Sequence, residues 1–93
     1  MTRISVEGEL DMATAPVLEK LLDRQRGPVL LDLRSLDFID SSGLRLLLSA
    51  EERSRRDGSG LRLASGRITR RLFELTGLTE HFALIAPDFP LDD

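Results

Sequence analysis

A chain of 93 residues with a formal net charge of −3, no Cys, no Trp and no Tyr is one small acidic domain. It can hide roughly 60 to 65% of the surface that its unfolded form exposes, and it has neither disulfides nor thiolate metal sites. The Arg residues are spread among Asp and Glu instead of clustering, which argues against nucleic acid as the main partner. The N-terminus, Met1 to Glu7, has no signal-peptide apolar region and nothing in the sequence is long enough to cross a bilayer, so no membrane is expected and a cytoplasmic protein is the simplest reading.

In chain order, Thr2 to Val6 alternates weakly and predicts a short strand that ends at Gly8. A helix follows: Thr14 is the expected N-cap, Pro16 lies in the first turn, and Val17, Leu18, Leu21 and Leu22 form an apolar stripe ended by Gly27-Pro28. Val29 to Leu33 is nearly continuous in apolar residues, as in a strand buried on both faces of a parallel sheet. A second helix from about Ser42 to Arg56 ends in Gly58-Ser59-Gly60. Its pairs Glu51 with Arg55 and Glu52 with Arg56 read as a solvated face, each worth about 0.2 to 0.5 kcal/mol.

Leu61 to Ala64 predicts a third strand, Ile68, Leu72 and Leu75 mark a third helix stopped by a left-handed Gly77, and Phe82 to Ala86 predicts the last strand. The segment 87–93, with two Pro and terminal acids, reads as an irregular acidic tail of the single 1–93 domain. This alternation implies an α/β fold, a mostly parallel sheet of about four strands with crossover helices. Loops at the C-terminal ends of the strands then share one edge, so Gly8 to Asp11, Asp40 to Gly43 and Ala64 to Gly66 are expected side by side.

Asp40-Ser41-Ser42-Gly43 carries the most chemistry, because it sets a carboxylate and two hydroxyls where a strand becomes a helix. Backbone N–H groups there lack intrahelical partners and the dipole favours negative charge, so an oxyanion is stabilised. On its own the tetrapeptide is more often a helix cap than a switch. Ser42 lies nearer the helix backbone and is the expected cap, which leaves Ser41 facing outward. A phosphoaspartate site built on Asp11 and Asp40 would want a downstream Lys, and the only Lys is Lys20, on the first helix. A hydrolytic triad with His81 would draw it from the wrong end of a parallel strand, and no nucleophile-elbow motif surrounds Ser41.

Five segments in order resemble a bacterial anti-sigma factor antagonist with a STAS fold. They are Gly8-Glu9-Leu10-Asp11 with Thr14-Ala15, Leu31-Asp32-Leu33, Phe38-Ile39-Asp40-Ser41-Ser42-Gly43-Leu44, Arg71-Leu72-Phe73 and Thr76-Gly77-Leu78. The resemblance implies a binding switch and not an enzyme. Unmodified, such a protein captures an anti-sigma factor that is also a serine kinase; that kinase phosphorylates it with ATP and a serine phosphatase reverses the mark.

Carried over, the resemblance makes Ser41 the phosphorylation site, with no cofactor and no metal in this chain. Asp11, Thr14, Asp40, Ser42, Gly43, Leu44 and Leu46 are then the expected partner-binding residues, Leu46 being placed on the outward side of the second helix. The family's usual first strand, which forms a hairpin with Thr2 to Val6, is missing here. That leaves two readings open: a homodimer through the exposed first strand, or a start upstream of Met1. Two other functions stay open as well: a STAS subunit of a transporter or lipid-transfer complex without phosphorylation, and a small nucleotide or ligand binder using the amides at the helix start.

Overall fold

A computed structural model describes residues 1–85 of the chain as three strands and three helices in strict alternation. These are β1 (Thr2–Leu10), α1 (Ala15–Asp23), β2 (Val29–Ile39), α2 (Ser41–Asp57), β3 (Leu61–Ala64) and α3 (Arg67–Thr76). The strands lie in the order β1-β2-β3 and both pairings are parallel. The expected α/β architecture with a parallel sheet is therefore present. The expected fourth strand, Phe82 to Ala86, is reduced among the described residues to one parallel bridge between Leu84 and Leu63. The expected tail 87–93 lies outside them.

Two strands run further than the sequence predicts. β1 does not stop at Val6 but continues through Gly8 to Leu10, because Gly8 (φ 79°) takes a left-handed kink inside the strand instead of opening a turn. β2 continues past Leu33 to Ile39 and carries two extra residues against β1, at register shifts opposite Ser5/Glu7 and Gly8/Glu9. Those insertions break the alternation of side chains, so the polar residues Arg34, Ser35 and Asp37 do not end the strand.

The core is aliphatic, as the composition requires. Leu31, Leu33, Leu47 and Leu63 are fully buried, and Phe73 stacks on Phe82 with ring centroids 4.8 Å apart. Leu18 and Leu22 of α1 join this core, but Val17 and Leu21 of the expected stripe are exposed. On α3 the buried residues are Thr69 and Phe73, while Leu75 faces out. Gly77 caps α3 in the left-handed region as expected. The Glu51–Arg55 pair is not on a solvated face: Glu51 is buried, with Oε2 accepting from Arg55 Nε at 2.9 Å and Oε1 lacking any partner among the described residues. No ion pair joins Glu52 to Arg56.

The polar residue in the buried run Val29 to Leu33 is Asp32, and its surroundings explain it. Its carboxylate accepts from the Arg34 backbone N–H (3.0 Å), from Arg34 Nε and Nη2 (both 3.0 Å) and from Arg3 Nη2 (3.2 Å). The Arg34 side chain, followed by its backbone N–H and charge and then by Arg3, holds Asp32 below the usual carboxylate range against the opposing effect of burial. Asp32→Asn is expected to cost about 2 kcal/mol at neutral pH, since a charge-assisted cluster then loses its anion. A depressed folded-state pKa contributes stability above the ordinary aspartate value and loses it as the pH falls below. The gap between wild type and variant should therefore narrow below about pH 4, which urea denaturation at two pH values measures.

Candidate functional site

At the C-terminal end of β2 the chain turns into α2 within one residue. Asp40 is the N-cap, with extended backbone (φ −110°, ψ −171°), and its Oδ1 accepts from the N–H groups of Ser42 (2.8 Å) and Gly43 (3.1 Å). The cap is thus Asp40, two positions before the expected Ser42, which sits half-buried in the first turn. Ser41 is the first helical residue and is exposed. The amides that an anion would use are already taken by the Asp40 carboxylate, so the helix start is not a vacant anion cradle.

The same turn is pinned to the end of β1. The Asp40 N–H donates to the Leu10 carbonyl at 3.2 Å, and Leu44 N–H returns to the Asp40 carbonyl at 3.0 Å. Gly43 is buried at the crossing: a Cβ there would lie 2.6 Å from Leu10 O and 2.8 Å from Ile39 Cγ1. Its role is close approach of α2 to β1, so it shapes the site from below. Leu44 is half-buried against the core. Leu46 is a correction: it is a buried core residue, 7% exposed, and not outward-facing. α2 packs against both the sheet and α1, which widens its buried face.

Asp11 and Thr14 build the neighbouring loop. Asp11 Oδ1 accepts from the N–H groups of Ala13 and Thr14, both at 3.0 Å. Thr14 Oγ1 accepts from Asp11 N–H and donates to the Glu9 carbonyl, both at 2.9 Å. Thr14 holds the N-cap position of α1 as expected, yet its hydroxyl braces the loop instead of capping the helix. The Thr14 N–H is the main cause that holds Asp11 below the usual carboxylate range. Asp11→Ala is expected to lower the thermal midpoint at neutral pH. By the same sign as for Asp32, the contribution disappears as the pH falls below the ordinary aspartate value, which melting curves at pH 7 and pH 3 would show.

Of the three segments expected side by side, two meet: Asp40 to Gly43 rests on the end of β1. The third does not. β3 meets β2 along Val29 to Asp32, and Gly66 abuts the Arg34 backbone, where a Cβ would lie 2.8 Å from Arg34 Cα and O. Five residues of strand, Ser35 to Ile39, lie between Arg34 and Asp40, a separation of up to about 20 Å. The Ala64 to Gly66 loop is therefore not part of the site.

A shallow groove of about 240 Å³ runs from the site between α1 and α2, with Met12, Pro16, Glu19, Ser42, Arg45 and Leu46 in its lining. Met12 is 77% exposed. Met12 and Arg45 escaped the sequence reading, although both carried a signal: an apolar side chain in the polar loop Asp11 to Thr14, and an Arg four residues after Ser41. Among the described residues there is no cluster that could hold a metal ion and no helix long and apolar enough to cross a membrane.

Comparison with known proteins finds a match to the family described as "Mlab, STAS domain" over residues 1–86. The chain is 30% identical over 87 residues to the anti-sigma-F factor antagonist RsfB of Mycobacterium tuberculosis, covering 89% of this chain and 71% of that protein. It is 34% identical over 83 residues to the anti-sigma-B factor antagonist of Bacillus subtilis, covering 84% and 75%. Among solved structures, an anti-sigma factor antagonist from Mycobacterium paratuberculosis superposes with a TM-score of 0.74 at 34% identity, covering 88% of this chain and 74% of that one.

Proposed function

This chain belongs to the STAS domain family, and we propose that it is an anti-sigma factor antagonist gated by phosphorylation of Ser41. In its unphosphorylated form it sequesters an anti-sigma factor that is also a serine kinase, and so releases a sigma factor for transcription. The kinase brings ATP and a serine phosphatase resets the switch. The protein works in the cytoplasm as a binding module and not as a catalyst.

The observation that carries this reading is the exposure of Ser41 on the first turn of α2, directly after a cap that fixes its backbone. A kinase needs a hydroxyl that it can reach on a segment whose position is defined, and this one has both. The names of the relatives support the partner class. We assign the docking surface to Asp11, Thr14, Asp40, Ser42 and Leu44, from the two segments joined where Asp40 N–H bonds the Leu10 carbonyl, with the α1–α2 groove as its continuation and Gly43 and Leu46 beneath it.

Incubation with the cognate kinase and ATP, followed by phosphopeptide mapping, tests the proposal. One phosphoryl group on Ser41, absent from Ser41→Ala, is the expected result. The family description, which names Mlab, favours a second reading as a STAS interaction subunit of a transporter or lipid-transfer complex. That reading predicts stable binding to another subunit and no phosphoryl transfer to Ser41.

A further inference from the structure

Arg45 is the only basic residue between Arg34 and Arg53, and it lies four residues after Ser41, on the same face of α2. It is exposed and lines the α1–α2 groove together with Met12, Glu19 and Ser42. Further along the helix Arg53 is paired with Asp23 and Arg55 with Glu51, whereas Arg45 joins no ion pair among the described residues. Its surroundings are acidic: Glu19 lines the groove from α1, and Asp40 and Asp11 stand in the adjoining turns with their carboxylates engaged by backbone N–H groups. The groove thus offers an incoming protein a guanidinium, whose planar fork matches a carboxylate. Long helical side chains lean toward the N-terminus, and an anion four residues before an arginine is the favoured order for a helix pair. A phosphoryl group on Ser41 therefore falls within reach of Arg45, and it finds the Ser42 and Gly43 amides already occupied by Asp40.

Resting on the reading of Ser41 as the modified residue, we propose that Arg45 is the docking residue that phosphorylation withdraws. In the unmodified chain it binds a carboxylate of the anti-sigma factor. In the phosphorylated chain it turns back onto the phosphate, so the modification removes a contact from the docking surface as well as adding charge to it. A dianion fixed one turn away outcompetes a carboxylate that has to arrive on another molecule.

Phosphoserine inserted at position 41 of the full chain during translation makes the test independent of any kinase. Followed by phosphorus NMR, the titration midpoint of the phosphate should rise by about 0.2 to 0.4 pH unit in Arg45→Gln, because a neighbouring cation favours the dianion, and should stay unchanged in Arg70→Gln on the exposed side of α3. Arg45→Gln should weaken binding of the unmodified chain to the anti-sigma factor at least about ten-fold, and binding of the phosphorylated chain less than about two-fold. Arg45→Lys, which keeps the charge and loses the fork, should restore the midpoint but not the full affinity. Equal midpoints in wild type and Arg45→Gln, or an equal loss of affinity in both forms, would overturn the proposal. Unmodified wild type that binds no anti-sigma factor would instead overturn the antagonist reading, and the docking role of Arg45 would fall with it.

Discussion

Gly43→Ala is expected to cost about 2 to 3 kcal/mol of stability, the largest loss of any single-methyl addition to the site. The new Cβ would meet the Leu10 carbonyl at 2.6 Å and Ile39 Cγ1 at 2.8 Å. The first of these is backbone inside the sheet and cannot rotate away. Relief would require α2 to lift off β1, which would stretch the Asp40 N–H to Leu10 carbonyl bond, 3.2 Å at present. The cap and Ser41 move with that turn, so phosphorylation should slow in the variant even at temperatures where it stays folded. Urea denaturation gives the stability loss. A kinase time course on folded protein separates misplacement of Ser41 from simple unfolding; Glu52→Gln, a change on the exposed side of the same helix and outside the α1–α2 groove, is the control and should alter neither.

Phosphorylation of Ser41 is expected to weaken binding to the anti-sigma factor by at least about a hundred-fold, a change of about 2.8 kcal/mol. The phosphoryl group adds about 1.5 to 2 negative charges to a chain whose formal net charge is −3. It arrives where the Asp40 carboxylate has already taken the Ser42 and Gly43 amides. The helix start therefore offers it less compensation than an uncapped one would, and two anions are left adjacent on the docking surface. Arg45, one turn along and exposed, offers a local counter-charge that keeps the helix intact. Circular dichroism of the phosphorylated and unmodified forms should coincide while their affinities diverge. Ser41→Ala, which removes an exposed hydroxyl, should bind within about three-fold of wild type, or within 0.7 kcal/mol or so.

The parallel α/β order, β3 at Leu61 to Ala64, the left-handed Gly77 and the strand-to-helix junction at Asp40 were all legible because each rests on local chemistry. An apolar run, a glycine after a helix and a capping triplet each act within a few residues. What escaped was set by long-range geometry. The two extra residues in β2 destroy its alternation, so a strand of 11 residues reads as one of five followed by a polar stretch. Gly8 looks like a turn, yet it serves as a kink within β1.

The stripe on α1 looks uniformly core-facing because the sequence does not say where the sheet ends. Among the described residues β1 is outermost, and Val17 and Leu21 stay exposed beside it. Leu46 was assigned outward by helical spacing alone, which takes no account of α1 closing over that side of α2. At the turn from β2 into α2 the division of labour differs from the expected one. Asp40 caps, Ser42 follows it, and Gly43 contributes by what it lacks.

Reconstituted transcription tests the central claim most directly. With RNA polymerase, the cognate sigma factor and its inhibitory kinase present, adding this chain should restore sigma-dependent transcript. Prior incubation with kinase and ATP should abolish that rescue for wild type but not for Ser41→Ala. Rescue that survives quantitative phosphorylation of Ser41, or no rescue by the unmodified chain, would contradict the account.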